Sequence, residues 1–356
     1  MIRYQYWWIA FLISTLLAAC SGSGSGSTKP LLDKELVLYN WVDYMPQGVL
    51  DGFEKEFGVK VVYLTYNSAE EAASNITAGK VAFDIAVVDN DNLGGLIAKN
   101  LLSEINLQQV PNFKNVSENF RDWAFDPGNL HSIPYNFGTT GLLVRSDLLK
   151  TPVLHWSDLW DPQYAGKIAV RAQPTELISV ALRSLDYPLN TEDPHQLEAA
   201  QDRLLTLKGR ARFVDIEAEN AIKPLLDGDV WILLGWNGDA RMARDRNPAI
   251  EYVIPEEGTM LWGDSFVISA QSTRQYTAQA FLNYILRPDV GAEIVKTYYY
   301  ATTNDGARNL LPADIVNDPL VFPPRSILIK NNFYQPHSPA GTKLYDEVWN
   351  QVMGNH

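Results

Sequence analysis

The feature that most restricts the fold is an alternation of strand-like and helix-like segments early in the chain. Strand-forming runs at 36–40, 59–64 and 83–88 alternate with helical patterns at 46–57 and 68–80. Strands and helices that alternate in this way build a parallel sheet covered by helices, so the chain is predicted to be an α/β protein. In such sheets ligands bind beyond the carboxyl ends of the strands, where the loops converge.

A second α/β series follows and predicts a second domain. Its segments are a strand at 166–172, helices at 174–185 and 194–207, a strand at 230–236 and a short helix from Asp239. After it come a buried strand at 259–269, of the type seen in the first half, and an amphipathic helix at 273–289. The chain has 356 residues, which is enough for two domains of ordinary size.

The N-terminus has the layout of an export signal. Residues 1–19 contain an early arginine and an apolar stretch that ends in small residues before Cys20. The run Leu17-Ala18-Ala19-Cys20 resembles the lipobox of bacterial lipoproteins, in which the cysteine carries lipid; an uncleaved anchor is the alternative. Residues 20–34 are predicted to be the lipidated cysteine and a Ser/Gly-rich tether.

Cysteine usage and charge narrow the possible partners. Cys20 is the only cysteine, so no intramolecular disulfide is expected and the thiol is best explained as the lipid attachment point. The formal net charge of −13 argues against nucleic acid and is compatible with a cationic ligand. The protein is therefore predicted to be a membrane-anchored lipoprotein in the periplasm or another extracytoplasmic space, and a monomer.

Signatures of catalysis are scarce. The sequence contains no Walker A loop, no HExxH, no CxxC, no G-x-S-x-G and no G-x-G-x-x-G motif. The five histidines are scattered without the spacing of metal ligands, so neither a metal nor a cofactor is expected. Ser265, in "GDS", could suggest a hydrolase, but it lies within a strand pattern and has no convincing histidine partner. The chain is predicted not to be an enzyme.

One combination of residues recurs at the predicted strand ends: an aromatic side chain close to a carboxylate. The residues concerned are Trp41, Asp43 and Tyr44; Trp236 and Asp239; Trp262 and Asp264; Glu176 at a helix start; and Tyr300 in "YYYATTN". Taken singly, each has a structural explanation as a core aromatic, a helix cap or an acid in the first helical turn. Their recurrence favours a shared function.

Aromatic faces with interleaved carboxylates suit a protonated alkylamine. The ring faces attract an ammonium group by cation–π interaction and cover the methylene groups, while each carboxylate pairs with one charged nitrogen. Removing an ammonium group from water is costly unless it meets an opposite charge. Several acids therefore predict a diamine or polyamine ligand.

Seven stretches of the chain together resemble a known family. They are "NWVDYMP" (40–46), "SIPYNFGTTGLLVR" (132–145), "HWSDLWDPQYAGKIAV" (155–170), "WNGDA" (236–240), "LWGDS" (261–265), "RPDVGAEI" (287–294) and "TTNDGARNLL" (302–311). In this order, from about Glu35 to Asn350, they resemble the spermidine/putrescine-binding proteins of bacterial ABC transporters.

The resemblance implies a type II periplasmic-binding-protein fold, in which two α/β lobes joined by a hinge close over a ligand. It places lobe 1 at 35–139 plus 263–307 and lobe 2 at 140–262 plus 308–350. The implied ligand-binding residues are Trp41, Asp43, Tyr44, Asp89 and Asp91 from lobe 1, and Glu176, Trp236, Asp239, Trp262, Asp264, Tyr300 and Gln335 from lobe 2 and the hinge side.

The departures from the family bear on the choice of amine. Asp89 replaces a small hydroxyl residue that the family often has, and Asp91 replaces an aromatic residue of the spermidine binders. Gln173 stands where those proteins have an acid, although Glu176 is kept, and Asp239 is closer to a putrescine-type site. The preferred amine therefore stays open.

The predicted function is capture of a polyamine by hinged closure of the lobes and its delivery to an ABC permease. One alternative keeps the fold and makes the chain a polyamine sensor that docks on a membrane signalling receptor; neighbouring genes would separate the two. A third reading is an exported hydrolase that uses Ser265 or the acids Asp239 and Asp264.

Overall fold

The computed structural model of the chain describes residues 31–214, 218–324, 326–328 and 333–354. The predicted signal segment and Cys20 lie outside the described residues. From Leu32 onward the described residues belong to one folded unit. No helix in these ranges is long and apolar enough to cross a membrane.

The described residues form ten strands and twelve α-helices. The strands are β1 Glu35–Trp41, β2 Lys60–Tyr66, β3 Ile85–Asp89, β4 Ser132–Arg145, β5 Ile168–Arg171, β6 Ala211–Val214, β7 Ile232–Trp236, β8 Ile250–Val253, β9 Met260–Ile268 and β10 Ala301–Thr302. The helices are α1 Gln47–Phe57, α2 Ala69–Thr77, α3 Asn90–Ala98, α4 Pro174–Arg183, α5 Pro194–Lys208, α6 Ala218–Leu226, α7 Asn237–Arg246, α8 Gln275–Ile285, α9 Pro288–Tyr298, α10 Asp305–Arg308, α11 Ala313–Val316 and α12 Pro339–Met353.

The strands join edge to edge in the order β2-β1-β3-β9-β4-β7-β5-β6. The two ends of this series are parallel, as predicted: β2, β1 and β3 on one side, and β7, β5 and β6 on the other. The middle differs from the prediction, because β9 is antiparallel to both β3 and β4, and β4 is antiparallel to β7. A strand that runs between two lobes needs no helical crossover and can lie antiparallel to its neighbours.

Strand β4 joins the two halves of the sheet. Its residues from Ser132 to Thr140 pair with β9, and from Thr140 to Val144 it pairs with β7. Together with the solved structures reported below, this topology gives the two-lobe fold of periplasmic binding proteins. The lobe boundaries given above stay a prediction.

Both faces of each parallel part are buried, which explains the continuous hydrophobic runs in the sequence. In lobe 1, Leu38 and Val87 pack in one cluster while Tyr39 and Val88 pack in another. Successive side chains of a strand point to opposite faces, so two clusters mean that helices cover both sides. The second half repeats this pattern.

Two predicted helix boundaries require correction. Helix α7 begins at Asn237, so Asp239 is its third residue rather than its first. The helix predicted at 273–289 ends at Ile285, and Pro288 opens the next helix. Proline lacks the N–H that a helix interior needs and is well suited to a first turn, which accounts for this division.

Candidate ligand-binding cleft

The carboxyl ends of β1 and β3, the middle of β9 and the start of α4 surround one cavity. It encloses about 820 Å³ of space, counting its open mouth. Ten of the twelve predicted binding residues line it: Trp41, Asp43, Tyr44, Asp89, Asp91, Glu176, Trp236, Trp262, Asp264 and Tyr300. The sheet brings these residues together from positions up to about 260 apart in the sequence.

Five aromatic rings form a continuous wall of this cavity. The ring centre of Trp236 lies 6.2 Å from that of Trp41 and 6.2 Å from that of Trp262. Tyr300 lies 5.2 Å from Trp262 and 5.5 Å from Tyr44, all in edge-to-face contact. Neighbouring rings orient one another through these edge-to-face contacts. We call these five residues the aromatic wall.

Asp264 lies beside the aromatic wall and has a neutral partner. The Tyr44 hydroxyl donates a hydrogen bond of 2.7 Å to Oδ2 of Asp264. Burial raises the pKa of Asp264 to about 7, and the charge of Asp89, its register partner in β3, acts in the same direction. No Lys, Arg or His in the described ranges forms an ion pair with this carboxyl group. It is therefore a buried acid that lacks a cation.

Glu176 is the second acid at the wall, in the first turn of α4. Its Oε1 accepts hydrogen bonds from the Thr140 hydroxyl and, at 3.0 Å, from Nε1 of Trp236. Its Oε2 is buried and has no hydrogen-bond partner. Burial raises the pKa of Glu176, and these two donors oppose the rise. The two donors orient the carboxylate and leave one oxygen for a ligand.

Three further acids line the cavity together: Glu70 from α2, Asp89 and Asp91. We call them the acidic end. Burial raises the pKa of Asp91 well above its usual range, and the charge of Asp89 adds to the shift. Burial likewise raises the pKa of Glu70 to about 7, although hydrogen bonds from the backbone of Glu70 and Thr175 oppose it. Asp89 and Asp91 face the cavity, which the sequence alone left open.

Asp239, which the sequence predicted to bind ligand, lies behind the wall and lines no part of the cavity. It is fully buried and pairs with the guanidinium group of Arg171, which is also fully buried. The same guanidinium group lies 4.2 Å from the ring centre of Trp236. Burial raises the pKa of Asp239, and the charge of Arg171 opposes that rise. The protein therefore supplies the cation for this carboxylate itself.

Gln335 also lies outside the cavity lining, whereas its neighbour Tyr334 lines it. The backbone N–H of Gln335 donates to Oδ1 of Asn190 at 3.2 Å. Six lining residues were not among the predicted binding residues: Val42, Ala69, Glu70, Gln173, Thr175 and Tyr334. Of these, Glu70 and Thr175 follow strand ends, and the rule that such loops converge could have found them.

The structure gives no support to the hydrolase reading. The hydroxyl of Ser265 donates to Oδ1 of Asn90 at 3.0 Å, so it is not held by a histidine. Asp239 and Asp264 do not act as a pair, because Asp239 is bound to Arg171. In the ranges that the structure describes, no three His, Cys, Asp or Glu side chains are placed to share a metal ion.

A known protein family matches most of the chain. The family described as bacterial extracellular solute-binding protein matches residues 49–323. The spermidine/putrescine-binding periplasmic protein of Escherichia coli is 34% identical over 319 residues, which cover 89% of this chain and 91% of the relative. The putrescine-binding periplasmic protein SpuD of Pseudomonas aeruginosa is 31% identical over 95% of this chain and 97% of its own.

A solved structure agrees with the fold. It is the spermidine/putrescine ABC transporter substrate-binding protein PotD of Streptococcus pneumoniae, with 29% identity and a TM-score of 0.75 over 90% of this chain and 99% of that one. The predicted resemblance and the two-lobe fold are thereby confirmed.

Proposed function

The chain belongs to the family of bacterial extracellular solute-binding proteins, and from that premise we propose that it captures a polyamine for an ABC permease. The ligand class is a linear amine with two or more protonated nitrogens, such as putrescine, spermidine or a close relative. The family binds and delivers solutes outside the cytoplasm, and no chemical step on the ligand is needed. The relatives named above are polyamine-binding proteins by name.

The observation that carries the proposal is the environment of Asp264. This acid is 6% exposed, lies beside the aromatic wall and has no cation of its own in the part of the chain that the structure describes. A buried carboxylate without a counter-charge is costly, so a cationic ligand relieves it. The ring faces attract the same cation and cover its methylene groups. A neutral sugar or an anion offers Asp264 no such compensation.

The two ends of a diamine would have separate acids. One ammonium group would pair with Asp264 and the other with the free Oε2 of Glu176, with the aromatic wall along the chain between them. Asp43 and Tyr44 would complete the slot from the first strand-to-helix loop. This assigns roles to the predicted site residues apart from Asp89, Asp91, Asp239 and Gln335.

Closure of the lobes would couple binding to transport. The slot takes Asp264 from the lobe 1 side and Glu176 from lobe 2, so only the closed form offers both acids to one ligand. We expect small-angle X-ray scattering to show a smaller radius of gyration when a bound amine saturates the protein. An unchanged radius would contradict hinged closure.

Attachment to a membrane through lipid on Cys20 is part of the proposal. A thioether-linked lipid should appear as added mass on the N-terminal peptide, and Cys20→Ser should release the protein from membranes. The closed monomer would dock on the permease; a membrane signalling receptor that uses the same closed form is the other possible partner. Co-purification with permease subunits distinguishes the two.

Calorimetric titration tests the ligand class directly. Putrescine, cadaverine, spermidine and norspermidine would be titrated into protein shown by mass spectrometry to be free of carried-over amine. A neutral amino acid and a dicarboxylate serve as controls. We expect saturable binding of at least one amine and none of either control. If no amine binds, the proposal is wrong.

A further inference from the structure

The segment just before α12 contacts both halves of the molecule. We call residues 333–338 the strap; they lead directly into α12, which packs on α4 and α5 of lobe 2. Phe333 forms an isolated bridge with Leu261 of β9, and the backbone N–H of Tyr334 donates to the carbonyl of Leu261 at 3.0 Å. Tyr334 also lines the cavity. The strap is therefore attached to the middle of the sheet at one end and to lobe 2 at the other.

Glu192, in the loop before α5, holds the far end of the strap on lobe 2. Its Oε1 accepts a hydrogen bond of 2.7 Å from the backbone N–H of Ser338, and its Oε2 accepts one of 2.6 Å from the Ser338 hydroxyl. His337 adds two contacts: its Nδ1 lies 3.7 Å from Oε1 of Glu192, and its ring centre lies 4.0 Å from that of Tyr345 in α12. Hydrogen bonds to a carboxylate are stronger than those between neutral groups. We therefore expect this end of the strap to move with lobe 2.

Pro336, between these two ends, touches lobe 1. Helix α3 packs on β3, β9 and α2, and it carries the adjacent glycines Gly94 and Gly95 one turn after Asp91 of the acidic end. A Cβ atom added at Gly94 would lie 3.3 Å from both Cβ and Cγ of Pro336 and 3.6 Å from Cβ of Phe125. A Cβ atom added at Gly95 would meet nothing within 4 Å. The strap thus approaches the backbone of α3 closely at Gly94 and not at Gly95.

The contact of Pro336 with Gly94 joins parts of the two lobes outside the cavity, since neither residue belongs to its lining. Packed atoms yield little, so this contact limits how closely α3 and the strap can approach each other. A contact made only in the closed form adds to the affinity for a ligand that selects that form. A change here should therefore alter lobe closure without altering a group that touches the ligand.

We propose that Gly94 and Glu192 are positioning residues for ligand capture. Glu192 holds the strap on lobe 2, and Gly94 leaves the space that Pro336 occupies when the lobes close. Tyr334, two residues before Pro336, is brought to the cavity by the same arrangement. The inference rests on the proposed function, because it requires amine affinity to depend on closure of the lobes.

The two adjacent glycines of α3 provide a matched test. Putrescine and spermidine are titrated calorimetrically into wild-type protein, Gly94→Leu and Gly95→Leu. Both changes replace glycine by a good helix former in the same helix, and Gly95 is exposed. We expect Gly94→Leu to weaken binding of whichever amine binds wild-type protein about 10- to 100-fold, since the leucine side chain occupies the space of Pro336. Gly95→Leu should change affinity by twofold or less.

Urea denaturation of the ligand-free proteins separates closure from folding. The free energy of unfolding should be no lower in Gly94→Leu than in Gly95→Leu, because the strap leaves α3 when the lobes open. Pro336→Gly removes the two atoms that a side chain at position 94 would meet. In that background the loss caused by Gly94→Leu should shrink to about threefold or less. A loss that persists in full would overturn the inference, since it would not arise from the strap.

Glu192→Ala tests the other end of the strap. Loss of both hydrogen bonds to Ser338 should weaken amine binding about three- to tenfold, although Glu192 lines no part of the cavity. Glu198→Ala, an exposed acid of α5, is the control and should have no effect. Unchanged affinity in both Gly94→Leu and Glu192→Ala would overturn the inference and leave amine capture intact. If wild-type protein binds no amine, the proposed function fails and the inference fails with it.

Discussion

Asp239 and Asp264 occupy similar places in the sequence and have opposite surroundings in the fold. Each follows a tryptophan by two or three residues, and each is almost fully buried. Asp239 pairs with the guanidinium group of Arg171 behind the aromatic wall. Asp264 lines the cavity and accepts a hydrogen bond of 2.7 Å from the neutral hydroxyl of Tyr44.

Under the proposed function, this difference separates a structural acid, Asp239, from an acid that binds the ligand, Asp264. Burying a carboxylate is costly in both cases, and the cost must be offset by a cation or by protonation. For Asp239 the offset comes from within the chain, so a ligand adds nothing there. For Asp264, under the proposed function, the positive charge of the ligand offsets the cost of burying the carboxylate. The site thereby gains affinity for a cation. The following experiments test that division.

The largest effect is expected on stability, from Asp239→Asn. This change removes the carboxylate that pairs with the buried guanidinium group of Arg171, which should lower the free energy of unfolding by about 3–5 kcal/mol. Urea denaturation of the ligand-free protein measures it. Asp245→Asn is the matched control, because Asp245 belongs to the same helix and forms an exposed pair with Arg241. The control should change stability by about 1 kcal/mol or less. Equal losses of stability in the two variants would mean that the buried pair of Asp239 and Arg171 contributes no more than the pair of Asp245 and Arg241.

The next effect is expected on binding, from Asp264→Asn. Loss of the charge facing the aromatic wall should weaken amine binding by about 2–4 kcal/mol, or roughly 30- to 1,000-fold. Calorimetric titration gives the value. Asp43→Asn is the comparison, since Asp43 lines the same cavity and is exposed, and it should cost about 1 kcal/mol or less. Affinity retained in Asp264→Asn would refute the assignment of Asp264 as the ammonium partner.

Asp264→Asn is expected to weaken amine binding but to stabilise the ligand-free protein at high pH. A carboxyl group whose pKa rises from 3.8 to about 7 on folding binds more protons in the folded state. Stability is therefore lost as the pH rises from about 4 to 7, and the full cost is present above 7. Asparagine removes this cost, so Asp264→Asn should melt at a higher temperature than wild type at pH 8 and not at pH 4.

If Asp264 and Glu70 bind the amine in their ionised form, binding of the amine releases protons from these two groups. Burial raises the pKa of each to about 7, so at pH 6 both are mostly protonated in the free protein. Amine affinity should therefore fall about five- to tenfold for each such group between pH 8 and pH 6. Calorimetry in two buffers of different ionisation enthalpy counts the protons. An affinity that does not change over this range would mean that the acids are already ionised in the empty cleft.

Much of the fold follows from local patterns. The alternating runs at 36–40, 59–64 and 83–88 become the parallel strands β1, β2 and β3, because both faces of such strands are buried and their hydrophobic runs are continuous. The antiparallel centre could not be predicted in this way. The pairing of β4 with β9 joins residues more than 100 positions apart, and it depends on how the two lobes are connected.

Prediction of the cavity-lining residues from sequence is limited in the same way. The strand-end rule placed Trp41 and Asp89 beside one another's loops, and both line the cavity, because the topology brings such loops to one edge. Asp239 fits the same pattern, and only the position of Arg171 in β5 reveals that its charge is already paired. Glu70 was missed because an acid in the first turn of a helix has a sufficient local explanation, although it follows a strand end and lines the cavity.

The smallest effect is expected from two tryptophans of the aromatic wall, Trp236 and Trp262. Nε1 of Trp236 donates to Glu176, whereas Nε1 of Trp262 is buried and has no hydrogen-bond partner. Trp236→Phe removes a hydrogen bond to a ligand-binding acid, so it should weaken amine binding by about 1–2 kcal/mol. Trp262→Phe removes only ring area and should cost about 0.5–1 kcal/mol. The two variants change the same atoms, so the difference between them in calorimetric titration measures the orientation of Glu176. Equal losses would show that Glu176 binds the ligand without help from Trp236.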